Sequence, residues 1–312
     1  MFRHELTDAL RREKKGPLGR PPYDYVMLFK ILVLQRIYNI SDDQMEFQIN
    51  DRMSFMRFLG LSLGDKVPDA KTIWLFRENL TRTDIVRKLF DRLEEMLATQ
   101  NIITHTGTIV DATFVDAPKQ RNTREENKKI KEGETPEEWL ENKPEVLHKK
   151  AQKDVDARWV TKGKERHYEY KNHAKVDADS KIIGDYAVTD ASVHDSNEFV
   201  DFFDNNDRVA YADSAYTSAK IAESLPLHVE QRIHEKGCRN HPLTETQKAN
   251  NRAKSKVCAR IEHVFGFMTN SMNGLHLRSI GIERAKSNIG LTNLVYNLFR
   301  YAFLKKKMLM AG

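Results

Sequence analysis

Two apolar segments of the chain each carry a single aspartate where a buried strand would be expected. The segment TIVDATF contains Asp111, and VAYADSAY contains Asp213. A buried carboxylate is costly unless it is protonated, paired with a cation or bound to a metal. One such aspartate is most simply a hydrogen-bonded structural acid at a strand end. Two in similar contexts favour a shared role, because strands lying side by side would bring both acids to one edge of a sheet.

A third carboxylate, Glu262, lies in the segment SKVCARIEHVFGFMTN, which predicts a helix. Glu262 sits at the border of the apolar face of that helix, from which it could lean over the sheet edge; a solvent-exposed glutamate is the alternative. Carboxylate oxygens are the ligands that Mg²⁺ and Mn²⁺ prefer. Two such ions about 3.5–4 Å apart can hold the attacking and leaving oxygens of a phosphoryl displacement.

The first hundred residues predict an all-helical domain. The segment YDYVMLFKILVLQRIYN reads as a long apolar helix that follows a proline-rich loop, PLGRPP. Ser41 and Asp69 are suitable N-caps for later helices. We therefore expect four or five short helices in a domain covering residues 1–100.

After residue 101 the periodicity changes to that of an α/β domain. The predicted order is β-β-β-α-β-α-β-α-α, with an antiparallel hairpin near its start, which indicates a mixed sheet flanked by helices. Residues 119–165 are charged and poor in apolar residues. They predict a solvated insertion with one short helix near PEEWLEN. Ser196 is the expected N-cap of the predicted helix SNEFVDFFD, and a cap is also the simplest role for Asp195, which precedes it.

The charge is unevenly distributed along the chain. The net charge is +6, and residues 235–312 hold 14 Lys and Arg against 4 Asp and Glu. This basic excess favours a polyanionic partner. The two cysteines, Cys238 and Cys258, lack the spacing of a zinc site and are expected to be reduced. Neither a signal peptide nor a membrane span is apparent, so we expect a cytoplasmic protein.

Six motifs along nearly the whole chain resemble one family, the bacterial insertion-sequence-five group of DDE transposases. The motifs are, in order, TIVDATFVDAP, YEYKNHAKVD, VTDASVHDSNEF, YADSAYTS, ARIEHVFG and NLVYNLFR. The helical N-terminal segment also resembles that of the family. The resemblance implies a ribonuclease-H-like catalytic domain over residues 101–312 and a DNA-binding domain over 1–100. It also implies that Asp111, Asp213 and Glu262 are catalytic ligands of two Mg²⁺ or Mn²⁺ ions.

The activity implied by the resemblance is transposition. The protein would cut the ends of an insertion sequence and join their 3′-hydroxyls to target DNA. Its expected partners are double-stranded DNA, both terminal inverted repeats and target, and a second copy of the chain in a synaptic dimer. The expected location is the cytoplasm, at the nucleoid.

Further DNA contacts are expected from motif position. Tyr170, His173 and Lys175, on the strand beside the first, could contact the scissile phosphate or form an ordinary polar strand face. Basic residues recur at helical spacing, at Arg252, Lys256 and Arg260. They would form a stripe that is either solvated or bound to phosphates. Arg20 in GRPP is similar to the arms that enter minor grooves, although a plain turn is the simpler explanation.

The sequence departs from the related Y–R–E–K signature around the third acid. The tyrosine, arginine and lysine of that signature would fall on Ser255, Cys258 and Thr269. Arg260 cannot replace an arginine at 258, because two residues on a helix are about 200° apart. The alternative of a catalytically impaired, transposase-derived DNA-binding protein therefore stays open. A stand-alone metal nuclease is disfavoured by the separate helical domain.

Overall fold

The computed structural model describes residues 1–11, 23–118, 122–134, 151–162, 164–217, 219–238, 241–272 and 274–311. The chain forms two compact units, which are not divided at a single point. The first contains Met1–Asn101, Gly266–Gly274 and Gly290–Gly312, and the second contains Ile102–Phe265 and Leu275–Ile289. Two C-terminal segments that the sequence analysis placed in the domain 101–312 therefore cluster with the N-terminal residues.

The first unit is built on six helices in the described part of residues 1–101. Their bounds are α1 Arg3–Leu10, α2 Tyr25–Tyr38, α3 Asp42–Asp51, α4 Met53–Leu59, α5 Ala70–Arg82 and α6 Ile85–Thr99. The two N-caps expected from the sequence are confirmed. The Ser41 hydroxyl accepts from the backbone N–H of Gln44 at 3.2 Å, and Asp69 Oδ1 accepts from Thr72 at 2.7 Å.

The second unit contains a mixed six-stranded sheet. Its strands are β1 Thr108–Asp116, β2 Arg158–Lys162, β3 Glu165–Asp177, β4 Ile183–Asp190, β5 Val209–Ala212 and β6 Glu230–Ile233. The order is β2-β3-β1-β5-β6, with β4 also paired to β3. Strand β3 is antiparallel to β1, β2 and β4, whereas β1, β5 and β6 are parallel. The predicted mixed sheet is therefore confirmed.

Helices connect and flank these strands. They are α7 Arg124–Lys131, α8 Ser196–Phe199, α9 Ala219–Ser224, α10 Glu245–Gly266 and α11 Ile282–Ala311. A π-helical turn, Phe267–Ser271, follows α10 directly. The part of the chain that the structure describes contains no candidate membrane-spanning helix.

The segment expected to be a solvated insertion contributes to the sheet and the core. Strand β2 and helix α7, which has a Thr123–Glu126 capping box, both lie within it. Asp154 is fully buried and accepts hydrogen bonds from the Tyr170 hydroxyl and the backbone N–H of Gly281. These elements were not predicted from the sequence, because the segment is rich in charged residues. The helix expected near PEEWLEN lies outside the described residues.

The two faces of the sheet support separate hydrophobic clusters. On one face, Val110 and Ala212 pack with Phe199 and Tyr216. The second cluster joins β1 and β3 to the start of α11 and contains Val115, Tyr168, Tyr170, Leu277 and Ile289. Strand β1 therefore lies between two packed layers, which explains the apolar run that surrounds Asp111.

Candidate active site

Asp111 and Asp213 lie level with each other on adjacent parallel strands. Ile109 of β1 is paired with Tyr211 of β5, and each aspartate follows two residues later. Residues two apart on a strand point to the same face, so both carboxylates face the same side of the sheet. Asp111 is half-buried within β1, and Asp213 is exposed just beyond the end of β5. The side-by-side strands expected from the sequence are present.

Backbone amides fix one oxygen of each aspartate. Asp111 Oδ1 accepts from the N–H of Ala112 at 2.8 Å. Asp213 Oδ1 accepts from the N–H of Ala215 at 2.7 Å and so caps the 3₁₀ turn Ser214–Tyr216. Backbone hydrogen bonds therefore orient both carboxylates.

The pKa of Asp111 shows that four carboxylates share this region. Burial, together with the charges of Asp213, Glu262 and Asp195, raises that pKa to about 7. Glu262 is exposed on α10, beside the buried Ile261. A group of like charges around a half-buried acid is electrostatically unfavourable until a cation joins it. The donor set therefore fits a hard divalent cation.

Asp195 does not have the capping role expected from the sequence. It occupies the N-cap position of α8, but its side chain makes no capping hydrogen bond. Instead, Asp195 Oδ1 is 2.8 Å from Nζ of the buried Lys171. Lys171 was not among the residues predicted from the sequence, although its alternation with His173 and Lys175 along β3 was an available signal. This ion pair places a lysine next to the acid cluster.

The three β3 residues expected to contact a phosphate are buried and have protein partners. Tyr170 is fully buried and donates to Asp154 Oδ1 at 2.8 Å. His173 is 1% exposed, and its Nε2 lies 2.8 Å from the Thr189 hydroxyl. Burial lowers the pKa of His173 to about 4, so the imidazole is neutral at pH 7.

Lys175 follows the same pattern. It is 7% exposed, and its Nζ donates to the fully buried Asp207 at 2.7 Å. Contact of these three residues with a phosphate therefore stays a prediction, and it would require their present partners to be released. The alternative of a polar strand face with internal partners describes all three residues.

The basic stripe on α10 divides into two exposed residues and one that binds the protein itself. Arg252 and Lys256 are exposed. Arg260 is half-buried, donates to the carbonyl oxygen of Ala178 and pairs with Asp179 at 3.1 Å. Arg260 thus anchors α10 to the β3–β4 turn. Arg20 lies outside the described residues.

Ser255, Cys258 and Thr269 replace the signature residues with neutral side chains. Cys258 is half-buried, and burial raises the pKa of its thiol to about 11, with further contributions from the charges of Asp111 and Asp213. A neutral thiol therefore lies beside the aspartates where the signature has a cation. Thr269 is exposed in the π-helical turn.

A second group of ligand-type side chains lies farther along β1. Atoms of Asp116, His167 and Glu169 are all within 4.8 Å of one another. Asp116 is five residues beyond Asp111 and pairs directly with Glu169 of β3. This group contains none of the three acids expected to bind metal, so the two sets of ligands are separate.

Two family models match the chain. One is described as Transposase DDE domain and matches residues 103–298. The other is described as Transposase domain (DUF772) and matches residues 2–79. The first match contains Asp111, Asp213 and Glu262. The comparison with solved structures gave no match.

Proposed function

The chain belongs to the DDE transposase family, and we propose that it cuts insertion-sequence ends and joins their 3′-hydroxyls to target DNA. A DDE domain implies a ribonuclease-H-like fold, which agrees with the mixed sheet flanked by helices. The observation that carries the proposal is the level placement of Asp111, on β1, and Asp213, directly after the parallel strand β5. Within the family, the six motifs favour the insertion-sequence-five group.

Divalent metals are used throughout this family, and Asp111, Asp213 and Glu262 are the proposed ligands of two Mg²⁺ or Mn²⁺ ions. When bound, the ions supply an activated water and stabilise the leaving oxygen of the phosphodiester. The protein holds Asp213 in place through the N–H of Ala215. Asp111 must lose its proton to act as a ligand, and its pKa near 7 makes this step depend on pH close to neutrality.

DNA recognition is assigned to other parts of the chain. The N-terminal domain, residues 1–100, would read the terminal inverted repeats, and its match to a transposase domain supports this role. Exposed Arg252 and Lys256 on α10 would contact phosphates. Joining two ends requires both to be held together, which favours a homodimer acting at the nucleoid.

The test is cleavage of a labelled duplex that carries the terminal inverted repeat, with Mg²⁺ or Mn²⁺. Wild-type protein should nick the repeat end only when the metal is present. Asp213→Asn should lose cleavage by orders of magnitude, because it removes a negative charge that holds the ions. Gel-shift binding should persist, since affinity for DNA comes mainly from basic residues.

A matched control is Asp201→Asn, which makes the same change at an exposed aspartate on the 3₁₀ turn after α8. It should cleave like wild type. Cleavage by Asp213→Asn at the wild-type rate would contradict the assignment of the ligands. Specific binding by wild type without any nicking would favour the impaired DNA-binding protein, the alternative raised by the neutral Cys258 beside the aspartates.

A further inference from the structure

His234 connects the two elements that carry Asp213 and Glu262. It follows β6 directly, and β6 is the parallel neighbour of β5. Its ring Nδ1 donates to the carbonyl oxygen of Ala212 at 2.9 Å, and Ala212 immediately precedes Asp213. Its backbone N–H donates to the same oxygen at 3.1 Å. The end of β5 is therefore held by both the backbone and the ring of His234.

The other ring nitrogen of His234 reaches α10. Its Nε2 lies 2.9 Å from the hydroxyl of Ser255, two helical turns before Glu262. The same hydroxyl lies 2.8 Å from the carbonyl oxygen of Asn251, and its single proton can be donated to only one of these two acceptors when the ring is neutral. The imidazole thus spans from the strand that ends at Asp213 to the helix that carries Glu262.

Contacts on either side reinforce this attachment of α10. The backbone N–H of Glu235 donates to Asn251 Oδ1, and Asn251 Nδ2 donates to the Glu235 carbonyl, both at 3.0 Å. Lys254 Nζ donates to the carbonyl of Ile233 at 2.8 Å. His234 and the residues on either side of it, Ile233 and Glu235, therefore bind one face of α10. Of these three, His234 uses its side chain to bind the residue before Asp213 as well.

We propose that His234 is a positioning residue that sets the separation of Asp213 and Glu262 through Ala212 and Ser255. The inference rests on the proposed function, because it assumes that both acids bind the same ions. Ser255 occupies the position of the signature tyrosine, so a histidine–serine contact holds the helix at that point. Loss of either contact should weaken metal binding, as groups that orient metal ligands typically change affinity about 10–100-fold.

The experiment is a Mn²⁺ titration of the full chain followed by electron paramagnetic resonance, without DNA. The Asp213→Asn variant gives the background, which is Mn²⁺ bound at other sites, including any at Asp116, His167 and Glu169. After this background is subtracted, the affinity for Mn²⁺ should be about tenfold weaker in His234→Ala and in Ser255→Ala than in wild type. His234→Gln, which can still reach Ser255, should recover part of the affinity.

The control is His228→Ala, at an exposed histidine whose Nε2 lies 3.3 Å from the carbonyl oxygen of Asp204. It should bind Mn²⁺ like wild type. Combining His234→Ala with Ser255→Ala should weaken binding no more than His234→Ala alone, because both changes break one connection. A melting temperature of Ser255→Ala equal to that of the control would exclude general unfolding as the cause.

Two results overturn the inference, and they are distinguishable. Wild-type affinity in His234→Ala, or fully additive losses in the double variant, would remove His234 from this role and leave the proposed function intact. If wild type binds no more Mn²⁺ than Asp213→Asn, the assignment of the metal ligands fails first. The inference then falls with it.

Discussion

Asp111 should make the stability of the metal-free protein depend on pH. Its pKa is about 7 in the folded chain, whereas an aspartate in an unfolded chain titrates near 4. Between those values the folded protein holds a proton that the unfolded chain has released, so stability falls as pH rises towards 7. The asparagine side chain in Asp111→Asn is neutral at every pH. It should therefore raise the melting temperature at pH 8, with a gain that shrinks towards pH 4.

Thermal unfolding in a chelator at several pH values measures this effect. Asp201→Asn, at an exposed position, provides the comparison for loss of one negative charge. An equal gain from Asp111→Asn at pH 4 and pH 8 would show that the carboxylate is not held at a raised pKa.

Tyr170→Phe should lower stability without directly changing affinity for DNA. The Tyr170 hydroxyl donates to both oxygens of the fully buried Asp154, at 2.8 and 2.9 Å. Removing a donor from a buried carboxylate costs about 1–3 kcal/mol. Urea unfolding measures this loss in the free energy of unfolding, and a gel shift at low temperature measures the affinity for DNA. Tyr301→Phe, which removes an exposed hydrogen bond to Gln100, is the milder control.

Single residues differed in how far the sequence revealed their environment. Asp111 and Asp213 were conspicuous because each is a lone charge in an apolar run. The burial of Tyr170 was not predicted because its partner, Asp154, lies in a charged segment that was expected to be exposed to solvent. Asp195 was misassigned because an aspartate before a helix fits a cap equally well, and only the position of Lys171 separates the two roles.

At the level of elements, the basic residues of α10 should fall into two classes. Arg252→Ala and Lys256→Ala should each weaken binding to all DNA sequences and reduce the salt slope of affinity by about 1. Arg260→Ala should leave the salt slope nearly unchanged, because Arg260 already pairs with Asp179. Gel shifts over a range of salt concentrations test this, and equal slopes for all three variants would contradict it.

Strands were predicted correctly where their residues are apolar. The prediction failed where charged residues dominate the segment. Strand β1 stood out because both of its faces are covered by packed layers. Strand β2, with the sequence RWVTK, was missed because it is short and begins and ends with basic residues. Its pairing with β3 depends on partners that local periodicity does not show.

For the whole molecule, deletion of residues 1–100 should abolish specific binding to the inverted repeat. The N-terminal domain is the proposed reader of that sequence, whereas nonspecific binding should persist through basic residues elsewhere. Competition gel shifts with repeat and scrambled duplexes measure the difference. Specificity that survives the deletion would assign recognition to the remaining chain.

The grouping of C-terminal segments with the N-terminal residues could not be read from the sequence. Tyr301 donates to Gln100, a contact between residues 201 positions apart. Phe267 packs against Tyr296 and Phe299 within the same unit. Neither contact leaves a local pattern, since apolar helices at both ends of a chain are consistent with many arrangements.

This grouping has a consequence for synthesis of the protein on the ribosome. The first unit includes Gly290–Gly312, so its packing cannot be completed until the codons of this segment have been translated. Nascent chains must therefore expose part of the surface of their early helices during elongation. A premature stop codon near residue 290 would leave the first unit incomplete although all of Met1–Asn101 had been made.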